Sequence, residues 1–186
     1  MKIKRTISLI TKITLVAVLI ILAGFSGAKN RKFDIRFKLN DIQSFVPSNQ
    51  VAIWLETTDS SIVRTLFLSE YLSYGGYNIR EICYDWSSKS KWDDVSQEEF
   101  DAVTSATPGV GDVKLKLECP ASLVPEGKYL IFIEVHLVDE YNELYSGELT
   151  ISGKKSVTNL QVMYKPGKYP KKTEGDILSD VQVITK

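Results

Sequence analysis

A single histidine, His136, serves the whole chain of 186 residues. That scarcity excludes a His-x-x-x-His metal site and any cluster of several imidazoles. A Gly-x-Ser-x-Gly elbow, a Gly-x-Gly-x-x-Gly phosphate loop and a Walker loop are all missing, which removes the serine-hydrolase, dinucleotide and nucleoside-triphosphate templates. Cysteine is limited to Cys83 and Cys119, so a Cys–His dyad would have to bring one of them to the sole histidine. Carboxylate pairs do occur, as Asp93/Asp94 and Glu98/Glu99, but they lie in a capped acidic segment whose acids come early in a helix. There they favour the helix dipole without glycosidase chemistry. No catalytic set and no metal site is expected.

Acid is also missing at the start, where no Asp or Glu precedes Asp34. The chain opens with Lys2, Lys4 and Arg5, continues with an apolar stretch densest from Ile13 to Phe25, and reaches Ser26-Gly27-Ala28. A cationic start, an apolar middle and small residues before the cut define a secretory signal peptide over residues 1–28, cleaved after Ala28. If the segment is kept, Ile7 to Leu22 nearly spans a bilayer with Lys12 snorkelling, which would tether the domain to a membrane. Phe25 follows Leu22-Ala23-Gly24 where a lipoprotein would need cysteine, so this site takes no lipid. Without the four cations of residues 1–28, 19 basic residues face 23 acidic ones, a net charge of −4. Such a chain has no general attraction for nucleic acid. In an oxidising compartment Cys83 and Cys119 have two readings, one disulfide or two buried thiols.

Residues 29–186 suit a single domain with its own core. Period-two alternation dominates: Phe33, Ile35, Phe37 and Leu39 alternate with Asp34, Arg36 and Lys38. Val51–Leu55 reads as a more fully buried strand, joined by a hairpin at 57–61 to Ile62–Leu68. Further strands are expected around Val113–Leu117, Tyr129–Val135, Leu144–Ile151, Leu160–Tyr164 and Val181–Thr185. The fold class is therefore all-β, an immunoglobulin-like antiparallel sandwich of about seven to eight strands. Ser96 and Glu99 form a capping-box pattern, so one short helix is expected from Gln97 to about Val103.

The stretch over about residues 69–108 breaks the strand rhythm. Eight of the nineteen aromatic residues fall between Phe67 and Phe100. They can form a small core of their own, packed over an open end of the sandwich. Alternatively Trp86 and Trp92, with Tyr74 and Tyr77, offer a platform for carbohydrate or another small ligand.

One string within this stretch, Asp101-Ala102-Val103-Thr104-Ser105-Ala106-Thr107-Pro108, resembles the acceptor of covalent flavinylation, Asp-x-x-(Ser/Thr)-Gly-Ala-(Ser/Thr). Asp101, Thr104, Ala106 and Thr107 match, and Ser105 replaces the usual glycine. The resemblance implies flavin mononucleotide joined through its phosphate to the Thr107 hydroxyl by a flavin transferase. A plain helix end and turn is the other reading. The ordered set Val51–Glu56, Ile62–Leu68, Asp101–Pro108 and Pro125-Glu126-Gly127-Lys128-Tyr129 resembles a family of predicted periplasmic proteins whose domain has no assigned function. That resemblance covers about residues 32–152. It implies a setting among membrane-linked flavin and iron redox systems, beside flavin transferases and PepSY-type membrane proteins. The expected role is a non-enzymatic exported module with a protein partner at the membrane or in the periplasm. The alternatives are a flavin carrier loaded at Thr107 and shielded by the aromatic stretch, or a ligand-binding module.

Overall fold

The computed structural model describes residues 30–42, 46–60, 62–138, 141–163 and 177–185, without the side chains of 62 and 63. The expected signal peptide and its cut after Ala28 lie outside the described residues.

Among the described residues ten strands form two sheets, and the fold is an all-β sandwich. The first sheet has the order β5-β1-β10-β8, built from β1 (Asn30–Leu39), β5 (Gly111–Pro120), β8 (Ser156–Asn159) and β10 (Leu178–Thr185). The second has the order β4-β3-β2-β6-β7-β9. Its strands are β2 (Gln50–Glu56), β3 (Ile62–Ser69), β4 (Thr104–Ser105), β6 (Gly127–Val138), β7 (Tyr141–Ile151) and β9 (Gln161–Met163). All pairings are antiparallel except β3 with β4. Two strands went unforeseen, β4 and β8, both too short to show a period. The strand expected over Leu160–Tyr164 is confined to Gln161–Met163 among the described residues.

The strand parities explain the layers. Phe33, Ile35, Phe37 and Leu39 of β1 meet Val51, Ile53 and Leu55 of β2 and Ile131, Ile133 and Val135 of β6 between the sheets. Residues of opposite parity on β2 and β6, Ala52, Trp54 and Phe132, point to the other face of the six-stranded sheet. That outer face is apolar and needs a cover. Three short helices supply it: α1 (Glu70–Tyr74), α2 (Tyr84–Ser90) and α3 (Gln97–Val103), with single 3-10 turns at Gly76–Asn78 and Trp92–Asp94. Leu72, Ile82, Cys83, Trp86, Trp92 and Val103 close a second core against Trp54, Leu68, Phe132 and Leu144. Trp54 stacks on Phe132 at 5.1 Å between ring centroids. The aromatic excursion thus has its own core as expected, but it covers a sheet face and not an open end. Only α3 was foreseen; α1 and α2, at five and seven residues, are too short to display a helical period.

The two long sides of the sandwich differ. On one side β8 lies against β7: Thr158 Oγ1 donates to the Glu148 carbonyl at 2.9 Å, and a Cβ on Gly147 would stand 2.8 Å from Thr158 Cγ2. The absence of a side chain at 147 permits that approach. On the other side β5 is an edge strand, and β4 pairs with only the last two residues of β3.

Candidate functional site

The acceptor-like string runs from α3 through β4 into the connection to β5. Helix α3 starts at Ser96, whose Oγ accepts the Glu99 amide at 3.2 Å. The Glu99 carboxylate pairs with Arg64 of β3 at 2.9 Å, which fastens the helix to the sheet. Asp101, exposed on α3, accepts from Gln97 Nε2 at 2.8 Å. Val103 enters the second core and ends the helix. Thr104 turns extended and pairs with Leu68, and Ser105 pairs with Ser69. Ala106 and Thr107 are exposed, Pro108 is buried, and Gly111 begins β5 with φ at 111°. The Thr107 hydroxyl is therefore presented to solvent between two anchors, the β4 ladder and the buried proline ring.

The departure at Ser105 has a structural answer. Ser105 is a strand residue and is not among the described residues with positive φ. An extended backbone accepts serine as readily as glycine, so the substitution brings no conformational cost.

Beside this segment, on the open side of the sandwich, lies a cleft of about 360 Å³. Its apolar floor includes Leu66, Phe67, Leu115 and Leu117. A bulge explains the first two: Ile53 pairs with Phe67 and Trp54 with Thr65, so Leu66 is the extra residue and both it and Phe67 join the main core. Val113, Leu115 and Leu117, the inward positions of β5, pack against the main core and stay half-buried among the described residues.

The other expected ligand residues come together as packing and not as an exposed surface: Trp86 and Trp92 meet at 5.4 Å between ring centroids, and Phe100 lies 5.9 Å from Trp92. All three tryptophans are buried. Trp86 Nε1 donates to Thr65 Oγ1 at 3.1 Å and Trp92 Nε1 to the Ser73 carbonyl at 3.0 Å. The Tyr77 hydroxyl donates to Asp93 at 2.7 Å, which raises its pKa above the usual phenol value. Tyr74 is exposed and meets Phe100 edge-on at 5.0 Å between centroids. The tryptophans build the second core and form no exposed platform with Tyr74 and Tyr77.

Cys83 and Cys119 are both free and buried. Cys83 belongs to the outer core and Cys119 to the core between the sheets, so the six-stranded sheet separates them. Of the two readings left open, the structure has the buried thiols and not the disulfide. Burial, with Glu134 and Asp85 nearby, holds the Cys83 thiol well above its usual range. Burial also raises that of Cys119, partly offset by Arg64 and Arg31. His136 is a buried strand residue whose Nδ1 lies 2.6 Å from Asn142 Oδ1. No group of three or more His, Cys, Asp or Glu among the described residues is placed to hold a metal.

Buried carboxylates went unseen in the sequence. Glu134 is fully buried and accepts the amides of Asp85 and Trp86 at 3.0 and 2.9 Å. Glu56 accepts from Trp54 Nε1 at 2.7 Å and from Lys89 Nζ at 2.6 Å. Glu134 shares its strand parity with Phe132, the one signal that its face would be covered.

Residues 32–169 match the family described as "Predicted periplasmic protein (DUF2271)". The chain belongs to this family. The match takes in the six-stranded sheet, the helical cover, the acceptor-like string and the four-stranded sheet without β10. None of the curated proteins and none of the solved structures matches the chain. The family's periplasmic description agrees with the export expected from residues 1–28. Among the described residues no helix is long and apolar enough to cross a membrane.

Proposed function

We propose that this family member is a non-enzymatic, exported module of an extracytoplasmic flavin redox assembly, and that it carries flavin mononucleotide covalently on Thr107. The observation that carries this reading is the exposed Thr107 hydroxyl, held between the β4 ladder and buried Pro108 inside the Asp-x-x-Thr-Ser-Ala-Thr string. Exposure matters because a second protein must reach the hydroxyl. Anchoring matters because the loaded group is then held at a fixed place on the sandwich. The small exposed side chains of Ser105 and Ala106 leave room for the transferase and the incoming flavin.

Loading is a phosphoryl transfer. Thr107 Oγ forms a phosphoester bond to the flavin mononucleotide phosphorus, and the anhydride P–O bond of the donor breaks. The nucleoside monophosphate leaves with that electron pair, and the hydroxyl proton passes to a base of the transferase. The donor must be an anhydride such as a flavin dinucleotide, because a simple phosphate monoester offers no comparable leaving group. The bound flavin would supply electron transfer; the chain's own residues hold and expose its attachment point. The carbohydrate-binding alternative has no support in the exposure of the tryptophans, all of which are core residues.

Intact mass after co-expression with a flavin transferase tests the reading. Wild type should gain one flavin mononucleotide, and Thr107→Ala should gain none. An unchanged wild-type mass, or equal gain on Thr107→Ala, overturns the carrier role.

A further inference from the structure

We infer that the cleft between β3–β4 and β5 is the seat of the isoalloxazine ring of the flavin borne on Thr107, a step that rests on the carrier reading above. Three features of the cleft support the assignment.

The first is connectivity. One wall is formed by residues 102–105 and the other by 114–117, so the segment holding Thr107 joins the two walls. Thr107 stands two residues beyond Ser105, at most about 7 Å of extended chain. A ribityl phosphate attached there can fold back between the walls it springs from.

The second is shape and polarity. About 360 Å³ falls at the small end of the range of small-molecule sites, and the half-buried Leu115 and Leu117 offer apolar contact to a flat aromatic ring, whereas Leu66 and Phe67 are already buried in the core. These inward positions on β5 are half-buried in a molecule whose opposite side is closed at Gly147. The open side therefore leaves apolar surface that a ring would cover.

The third is charge. Lys114 and Lys116 line the cleft and, among the described residues, no acidic residue does, so its field favours both the phosphodiester and the negative charge of a reduced flavin.

The experiment uses loaded full-length protein, with intact mass measured on every sample so that attachment is read separately from seating. Seating is read by iodide quenching of flavin fluorescence and by the midpoint potential. Burying about 70% of the ring should make quenching roughly threefold weaker in the native loaded protein than in the same protein unfolded in urea. The exposed-site double variant Lys114→Glu/Lys116→Glu should load, keep its fold, and shift the potential to a more negative value. Full loading with equal quenching in native and unfolded protein, or a potential indifferent to the lysine reversal, overturns the seat while the carrier reading stands. No mass gain on wild type removes both.

Discussion

Helix α2 has no cap of its own. Its first residue follows Cys83, which is left-handed at φ 45° and makes no side-chain capping bond. The orphan amides of Asp85 and Trp86 are satisfied from another element, by the two carboxylate oxygens of Glu134 on β6. Glu134→Ala leaves both donors buried without partners. At about 1–3 kcal/mol each, the loss should be about 4 kcal/mol in total. For a domain of this size that corresponds to a fall in Tm of about 8–16 °C. Glu134→Gln keeps the shape and one good acceptor, so it should cost about 1–2 kcal/mol. Glu134→Leu separates two explanations. If the buried charge itself were the burden, leucine would stabilise the protein. If the carboxylate acts as the missing cap, leucine should be no better than alanine. Urea unfolding followed by tryptophan fluorescence measures all three, because Trp86 and Trp92 sit in the core that α2 completes. Amide exchange at Asp85 and Trp86 should accelerate in the alanine variant. A stability within about 1 kcal/mol of wild type for Glu134→Ala, or a stabilised leucine variant, would refute the capping argument.

Two further perturbations follow from packing and ionisation. A Cβ at 147 would meet the stiff Thr158 methyl at 2.8 Å, so Gly147→Ala should cost about 1–3 kcal/mol in chemical unfolding; no loss would mean that β7 and β8 are not held this closely. The thiol pKa of Cys83 is raised in the folded state, so the native protein keeps its proton where the unfolded chain gives it up. That contribution is intact below about pH 8.5 and is lost as pH rises toward the folded value, by up to about 1.4 kcal/mol per unit. Cys83→Ala should flatten this part of the stability–pH profile measured by urea unfolding from pH 7.5 to 10, and an unchanged slope would contradict the burial assigned to the thiol.

Legibility in the sequence tracked how many faces of each strand are covered. In β1 only one face is packed, so the Phe33–Leu39 alternation showed both the strand and its inward side. In β2 both faces are packed, and the unbroken run Val51–Leu55 reported that without saying what covers the second face. The answer depended on Trp54, Phe132 and Leu144, which come from three strands and meet only after the sheet forms. The same limit applies to the buried acids: Glu134 sits between Ile133 and Val135 as a solvent-facing residue would, and only the docked helix makes it internal. An even number of cysteines could not reveal that a sheet lies between them.

The acceptor-like string was legible as chemistry, in Asp101, Thr104, Ala106 and Thr107, but not as geometry. Its surroundings depend on why β4 is so short. The helix end at Val103 bounds it on one side, and Pro108, which has no amide hydrogen to donate, bounds it soon after on the other. Two residues of ladder are left, enough to anchor the segment but not to cover the rest of the β3 edge. A longer β4 would extend the sheet along β3 and close the gap toward β5. The shortness that hid β4 from a periodicity reading is thus the same feature that leaves the cleft open beside Thr104 and Ser105, two residues before Thr107.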